Sequence, residues 1–358
     1  MLKYSLGIDI SMKYIDVCLG TIDQRQVFSV LRNHRFNQNA SGFKALVNWI
    51  VKYRRDVEIP LVITMEATGV YHENCAMYLH EAGYSVSVML PTRTKAHFQS
   101  SGYKSKTDKI DAAGLAKMGA EQCLPVWQPM DPFILRLRAK TRRHESLNMK
   151  KTITNNQIHA LKNAMHTDKE VLAQLKSELN FYNKQIKQLE QEIKQLLKSN
   201  PDIYERALKV MSIKGVGLLT TAVVLAETNA FALIKSRGQL LKYCGYEIIQ
   251  HDSGMTTGKS HVSKAGNAHV RRILHMPALC VVRFGVAPFA NLYARTFDRH
   301  KVKMKSYVAV QRKLLLLMFA LWTKNELFDP QYNHAEIIQK EEKKSSPLTR
   351  RGIPEVTV

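Results

Sequence analysis

The feature that most constrains this chain is a seam of apolar residues. Leu172, Leu175, Leu179, Tyr182, Ile186, Leu189, Ile193 and Leu196 follow one another at alternating steps of three and four, with Lys, Glu and Gln between them. Residues at that rhythm share one side of a helix and are buried only against another helix. Asn200-Pro201 ends the run, since proline lacks the N–H that a continuing helix needs. Upstream, Leu147, Lys151, Thr154, Ile158, Leu161 and Met165 keep the same steps with two polar positions in the seam. The short link His166-Thr167-Asp168 leaves room only for a reversal. The spacing predicts an antiparallel coiled-coil hairpin over residues 131–200, packed internally or against a second copy, with a globular region on either side.

With 358 residues, 45% of them hydrophobic, the chain is long enough for more than one buried core. Lys and Arg number 53 against 30 Asp and Glu, a formal net charge of +23, which makes a polyanion the expected partner, nucleic acid before an anionic membrane. Cys18, Cys75, Cys123, Cys244 and Cys280 form no C-x-x-C pair and no His-Cys metal spacing, as expected of unpaired thiols in a reducing cytoplasm. The opening MLKYSLGIDI runs straight into a strand pattern, so no signal peptide is expected. Leu314–Trp322 is the longest apolar run and is bracketed by Lys313 and Lys324; it is too short to span a bilayer and reads as a buried helix.

In the N-terminal region, residues 1–130, three short strands (SLGIDIS, YIDVCLG, QVFSVLR) are followed by a helix capped by Ser41, with Phe43, Leu46, Val47, Ile50 and Val51 on its apolar face. LVITME is a buried strand ending in Glu66, a helix runs from about Tyr71 to Ala82, and YSVSVML is a further strand. Antiparallel strands followed by alternating strand and helix predict a mixed α/β sheet covered by helices. Thr107 caps a later helix, KTDKIDAAGLAKM, whose Asp108 and Asp111 share one face. Carboxylates in a first turn are favoured by the helix dipole alone. Two more, Asp9 in the first strand and Glu66 at the end of the fourth, raise a functional reading. If the four converge, only a cation offsets their repulsion, and an all-oxygen set without His or Cys favours Mg²⁺ or Mn²⁺ and phosphoryl transfer. Between Pro91 and Lys109, the cations Arg93, Lys95, His97, Lys104, Lys106 and Lys109 read as a basic loop suited to gripping a phosphate backbone.

The C-terminal region, residues 201–330, opens with LKVMSIKGVGLLTTAVVLAE, a helix-hairpin-helix pattern. Gly215 and Gly217 would let the turn's backbone approach a phosphate, and Lys214 adds a cation. Residues 236–278 hold a glycine-broken loop or short hairpin and then helix from His269. There Lys259, His261, Lys264, Arg271 and Arg272 surround hydroxyls including Ser253, a phosphate-binding chemistry in which no hydroxyl is singled out. The tail, residues 331–358, is polar, charged and expected to be disordered.

Taken together, GIDIS with Asp9, EATGVY with Glu66, KTDKIDA with Asp108 and Asp111, then GVG and finally HDSG and GKSHVSKAGNAHVRR resemble the DEDD transposases of insertion sequences, the IS-one-ten and IS-eleven-eleven group, and the related Piv-type DNA invertases. The resemblance implies a RuvC-like (RNase H-like) N-terminal domain, a coiled-coil middle and a mostly α C-terminal transposase domain. It also implies Asp9, Glu66, Asp108 and Asp111 as divalent-metal ligands and Ser253 as a nucleophile that holds DNA as a phosphoserine. Implied partners are donor and target DNA, a structured non-coding bridge RNA that pairs with both, and further copies of the chain. Gly245-Tyr246-Glu247 departs from the Gly-Leu-x-Pro common in such relatives. Two other readings are a RuvC-like junction endonuclease, in which water attacks and Ser253 is a turn residue, and a non-catalytic nucleic-acid-binding protein.

Overall fold

The computed structural model describes residues 1–102, 107–250, 252–253, 256–258 and 260–330, and the chain falls into two compact units, Met1–Pro129 and Met130 onward. In the first unit β1 (Lys3–Ile10), β2 (Tyr14–Ile22) and β3 (Phe28–Asn37) form an antiparallel meander, while β4 (Leu61–Glu66) and β5 (Val86–Met89) run parallel to β1 in the order β3-β2-β1-β4-β5. Successive side chains of a strand point to opposite faces. Ile8 and Ile10 therefore turn one way, into a core with Ile15, Val17, Ile63 and Met65 under α1 (Ala40–Tyr53) and α2 (Tyr71–Glu81). Gly7 and Asp9 turn the other way, towards α4 (Asp108–Glu121).

The close seating of α4 on that second face has a specific cause. A Cβ on Gly7 would lie 2.0 Å from the Ala112 carbonyl oxygen and 2.3 Å from the Ala116 nitrogen, and one on Gly119 would lie 2.3 Å from Thr64 Oγ1. Hydrogen in place of both side chains lets helix backbone rest on strand backbone, where Ser5 Oγ donates to the Ala116 carbonyl at 2.6 Å. That contact fixes where the first turn of α4 lies.

The second unit is largely helical. Its long pair, α5 (Pro132–Lys162) and α6 (Lys169–Lys198), runs antiparallel: Lys140 meets Glu192, His144 Nε2 lies 3.2 Å from Glu190 Oε1, and Thr154 Oγ1 donates to Glu178 at 3.3 Å. α7 (Pro201–Met211), α8 (Leu218–Thr228), α9 (Arg237–Tyr243), α10 (Ala268–Ile273), α11 (His275–Arg283), α12 (Ala287–His300) and α13 (Lys303–Lys324) follow. Leu137 of α5 and Ile193, Leu196 and Leu197 of α6 lie in the same core as Val210, Val224, Leu274 and Leu314, so the base of the long pair is part of this unit's interior. Between α9 and α10 two short antiparallel pairs are nested: β6 (Ile248–Ile249) with β9 (His261–Val262), and β7 (Asp252–Ser253) with β8 (Thr256–Thr257).

Several expectations are corrected. Asn39, not Ser41, caps α1, its side chain accepting from the Gly42 N–H at 2.9 Å while Ser41 Oγ donates to it at 2.8 Å. Val51 leaves the apolar face of α1 and is 67% exposed. The third strand runs on to Asn37 because its partner β2 is paired as far as Tyr14. Met165 falls in the connection after α5 and is 94% exposed. Residues 91–100 of the expected basic loop are a helix, α3 (Pro91–Ser100); Pro91 presets the first helical φ, and the inward positions are the polar Thr94 and His97, which left no apolar periodicity to read. Among the described residues no single helix is long and apolar enough to cross a membrane; one bent pair, Ala268–Arg283 with Ala287–His300 at 96°, has the length and composition, and its Val270, Leu274, Ala278, Val281 and Phe289 lie in the core.

Candidate active site

Three elements bring carboxylates together in the first unit. Asp9 and Glu66 each lie one residue past the Ile8–Met65 pairing of β1 and β4, side by side at the strand ends. Thr107 caps α4 by accepting from the Ile110 N–H at 3.3 Å, and the turn it starts carries Asp108 and Asp111. The convergence registers on Asp9. Burial, then the charges of Asp111, Asp108, Asp16 and Glu66, push its carboxyl up to about 6. Each of the four residues singled out in the sequence is thus part of one acidic neighbourhood.

Three contributors were not singled out. Asp16, buried on β2, is the residue directly opposite Asp9, and Arg35 on β3 is directly opposite Asp16. Arg35 Nε and Nη2 bind the Asp16 carboxylate at 2.8–3.1 Å, and Nη2 also donates to Asp108 Oδ2 at 2.9 Å. Thr94 of α3 donates its hydroxyl to Glu66 Oε2. A signal for Asp16 exists in the sequence: with the turn at Met12-Lys13, hairpin register sets position 16 opposite position 9. Nothing local marks Arg35 or Thr94.

The fit of this neighbourhood to a divalent ion is mixed. Its donors are all oxygen, and they repel one another enough to raise Asp9, the chemistry a hard cation answers. As placed, however, Asp108 is held by Arg35 and Glu66 by Thr94. Among the described residues no group of three or more His, Cys, Asp or Glu side chains is arranged to hold a metal ion.

In the second unit, Ser253 is exposed and pairs with Thr256 in the outer rung of the nested hairpin. The inner rung is continued by backbone bonds at the root: Ser263 N–H to the Glu247 carbonyl at 2.9 Å, Lys264 N–H to that of Gly245 at 3.1 Å, and Asn267 N–H to that of Tyr243 at 2.9 Å. The root is locked to α8 by Glu227, whose side chain is fully buried. Arg142 Nε at 2.7 Å, Arg138 Nη2 at 3.2 Å and Asn267 Nδ2 at 2.8 Å donate to its carboxylate, and Tyr243 Oη donates to its backbone carbonyl at 2.6 Å. Burial alone would raise the Glu227 carboxyl, but the Arg142 and Asn267 hydrogen bonds and the two guanidinium charges carry it down to about 2. Beside it, Glu145 of α5 binds His269 and Arg272. Sequence reading missed Glu227, Asn267 and Glu145 because the side-chain partners that hold their side chains lie at least 40 residues away.

The expected phosphate contacts divide. Arg93 and Lys95 are exposed on α3, and Arg93 Nη2 donates to Gln122 Oε1 at 3.3 Å. Gly215 has φ +103°, and a Cβ there would lie 3.1–3.3 Å from Cys280 and Val281, so its lack of a side chain serves the packing of α11. Gly217 starts α8 with open space around it, and Lys214 Nζ sits 5.0 Å over the Phe284 ring. Lys264 is exposed, Arg271 Nη1 is bound to the Cys244 carbonyl at 2.9 Å, and Arg272 is bound to Glu145. Lys104, Lys106 and Lys259, and the tail from residue 331, lie outside the described residues.

Comparison with known proteins gives a consistent picture. A family described as "Transposase" (DEDD_Tnp_IS110) matches residues 6–167, and one described as "Transposase IS116/IS110/IS902 family" matches residues 207–294. The chain is similar to the pilin gene-inverting proteins of Moraxella bovis and Moraxella lacunata, each 30% identical over 333 residues, 92% of this chain and 98% of theirs. It is also 28% identical over 162 residues to the transposase for insertion sequence element IS1111A of Coxiella burnetii, 45% of this chain and 43% of that one. Among solved structures, Thermus thermophilus RuvC in complex with a Holliday junction substrate matches at 10% identity and a TM-score of 0.26, over 33% of this chain and 93% of RuvC.

Proposed function

The chain belongs to the IS116/IS110/IS902 family of transposases, and on that premise we propose that it cleaves and rejoins DNA through a phosphoserine formed on Ser253, with Asp9, Glu66, Asp108 and Asp111 as the catalytic carboxylates of a RuvC-like domain. The observation that carries this reading is the gathering of β1, the end of β4 and the first turn of α4 around Asp9. Those four residues would hold Mg²⁺ or Mn²⁺, which when bound stabilises charge on the attacking and leaving oxygens of phosphoryl transfer.

Ser253 supports its part by position: it is exposed, in a strand pair whose root is hydrogen-bonded at Tyr243, Gly245 and Glu247. Its Oγ would bond to phosphorus as the bond from phosphorus to the departing sugar oxygen breaks; the serine proton leaves and the departing oxygen takes one up. The number of phosphodiester-type bonds is unchanged, so a second displacement by a strand hydroxyl restores the serine and joins DNA without a high-energy cofactor. The helix–turn–helix of α7, Lys214-Gly217 and α8, and the exposed Arg93, Lys95 and Lys264, would contact DNA or RNA backbones. The net charge of +23 supports both, with a bridge RNA as the guide, the α5–α6 coiled coil as a middle domain, and the active form an assembly of several copies.

The test is a denaturing gel of protein mixed with labelled element-end DNA and Mg²⁺. Wild type is expected to carry a covalent DNA adduct that Ser253→Ala lacks, with no cleavage in the variant. Cleavage without adduct in both would establish the water-attack endonuclease instead. A second reading, site-specific inversion, is favoured by the similarity to the pilin gene-inverting proteins along nearly their whole length. It uses the same chemistry and differs only in the recombined product.

A further inference from the structure

The carboxylate neighbourhood must accept a phosphate, which is itself an anion. Counting Asp16, five carboxylates face it: Asp9, Asp16, Glu66, Asp108 and Asp111. Arg35 is the guanidinium set among them, and the way it is held matters more than its charge. Asp16, whose side chain is 8% exposed, binds it through both Nε and Nη2, and the Tyr14 ring lies 5.6 Å from its Cζ. Arg35 itself is half-exposed. A guanidinium has five N–H groups in a fixed plane, and this brace uses the Nε and Nη2 side of it, with Nη2 also reaching Asp108. Among the described residues nothing accepts from Nη1.

We propose that Arg35, aimed by the buried Asp16, is a phosphate-binding residue of this site, its Nη1 edge taking an oxygen of the DNA backbone next to the carboxylates. The arrangement explains a buried aspartate that would otherwise add only repulsion. Asp16 spends its charge on orienting a cation, and the cross-strand alignment Asp9, Asp16, Arg35 carries that cation to the rim of the acidic face. A guanidinium is suited to the role because its N–H groups fan out in one plane, so that one edge can be held by Asp16 while Nη1 is presented to an oxygen, and because an orientation fixed beforehand loses less entropy on binding than a free lysine would. The inference rests on the transposase reading for the site's substrate.

The experiment measures equilibrium binding of a fluorescent mixed-sequence DNA duplex, and of its single strand, across a KCl series in EDTA, so that no strand is cut. Wild type is compared with Asp16→Asn, with Arg35→Lys, and with the double variant Asp16→Asn/Arg35→Gln, in which a neutral pair replaces the ionic one so that no lone charge is left buried. Losing one phosphate contact is expected to reduce the slope of log Kobs against log[salt] by about one. The double variant should show that drop. Arg35→Lys should keep the slope, and Asp16→Asn should keep the slope but bind more weakly because the guanidinium is no longer aimed. An unchanged slope and affinity in the double variant, alongside a cleavage defect in Asp9→Asn, would reduce Arg35 to the counter-ion of Asp16 and leave the transposase reading standing. Undiminished cleavage by Asp9→Asn and Glu66→Gln would instead remove that reading, whatever the slopes.

Discussion

Two carboxylates in this molecule sit in opposite electrostatic conditions. Asp9, in the first unit, is surrounded by other carboxylates and raised to about 6, with one guanidinium nearby that is already bound to Asp16 and Asp108. Glu227, in the second, is completely buried yet lowered to about 2, because two arginines and an asparagine meet it. Burial penalises charge at both places, so burial alone does not separate them. Where the folded chain supplies its own counter-charges, the acid is a fastener. Where, among the described residues, carboxylates outnumber the one guanidinium, as around Asp9, the acid is raised instead.

That contrast can be broken by substitution. Asp9→Asn removes a charge from a repelling set, so it is expected to lower strand cleavage on the order of a thousandfold, the scale set by losing a preorganised electrostatic group. Calorimetry should find no loss of melting temperature; a clear drop would make Asp9 a structural acid like Glu227. Glu227→Ala should do the reverse and unfold the protein more readily, by about 3 kcal/mol. That is the low end for breaking a buried pair, because the guanidinium of Arg142 is half-exposed and can recover water. Urea melts of the two variants side by side would show whether the roles separate.

The same pair sharpens on titration. Glu227 has its folded carboxyl below the ordinary 4.5, so the unfolded chain binds its proton first as acid is added. Its stabilisation is full above about pH 5 and is lost as pH falls through the range from 4.5 towards 2. The gap in melting temperature between wild type and Glu227→Gln should therefore be widest near neutrality and narrow steadily in acid; a gap independent of pH would refute the ionic description. Smallest is Asn267→Ala. It loses the α10 cap, where the side-chain oxygen accepts from the His269 N–H at 3.0 Å, and the bond to Glu227, about 1–2 kcal/mol together. Because Asn267 sits at the root of the Ser253 hairpin, hydrogen exchange at residues 243–249 should quicken in the variant while the first unit is unaffected.

Much of the architecture was legible because it is written in local periodicity. Of the seam from Leu172 to Leu196, Ile186, Ile193 and Leu196 are buried on α6 and the others half-buried, the antiparallel start and the alternating strands yield the mixed sheet, and Asp108 and Asp111 occupy the first turn that Thr107 caps. Periodicity failed where inward positions are polar, as in α3, and at caps, where Asn39 and Ser41 are both competent and only the backbone decides.

The sequence by itself determined most of the elements and the family, since each depends on residues close along the chain or on motifs in a fixed order, and through its resemblance it pointed to four acids and a serine as candidates. Only the tertiary structure decided what faces those acids. The alignment of Asp9, Asp16 and Arg35 across three strands, the seating of α4 on Gly7, and the capture of Glu227 by Arg138, Arg142 and Asn267 join positions far apart in sequence. Coulomb interactions and hydrogen bonds act through space over a few ångströms, so the same kind of carboxyl group is lowered, as at Glu227, or raised, as at Asp9, according to which distant charges the fold brings to it.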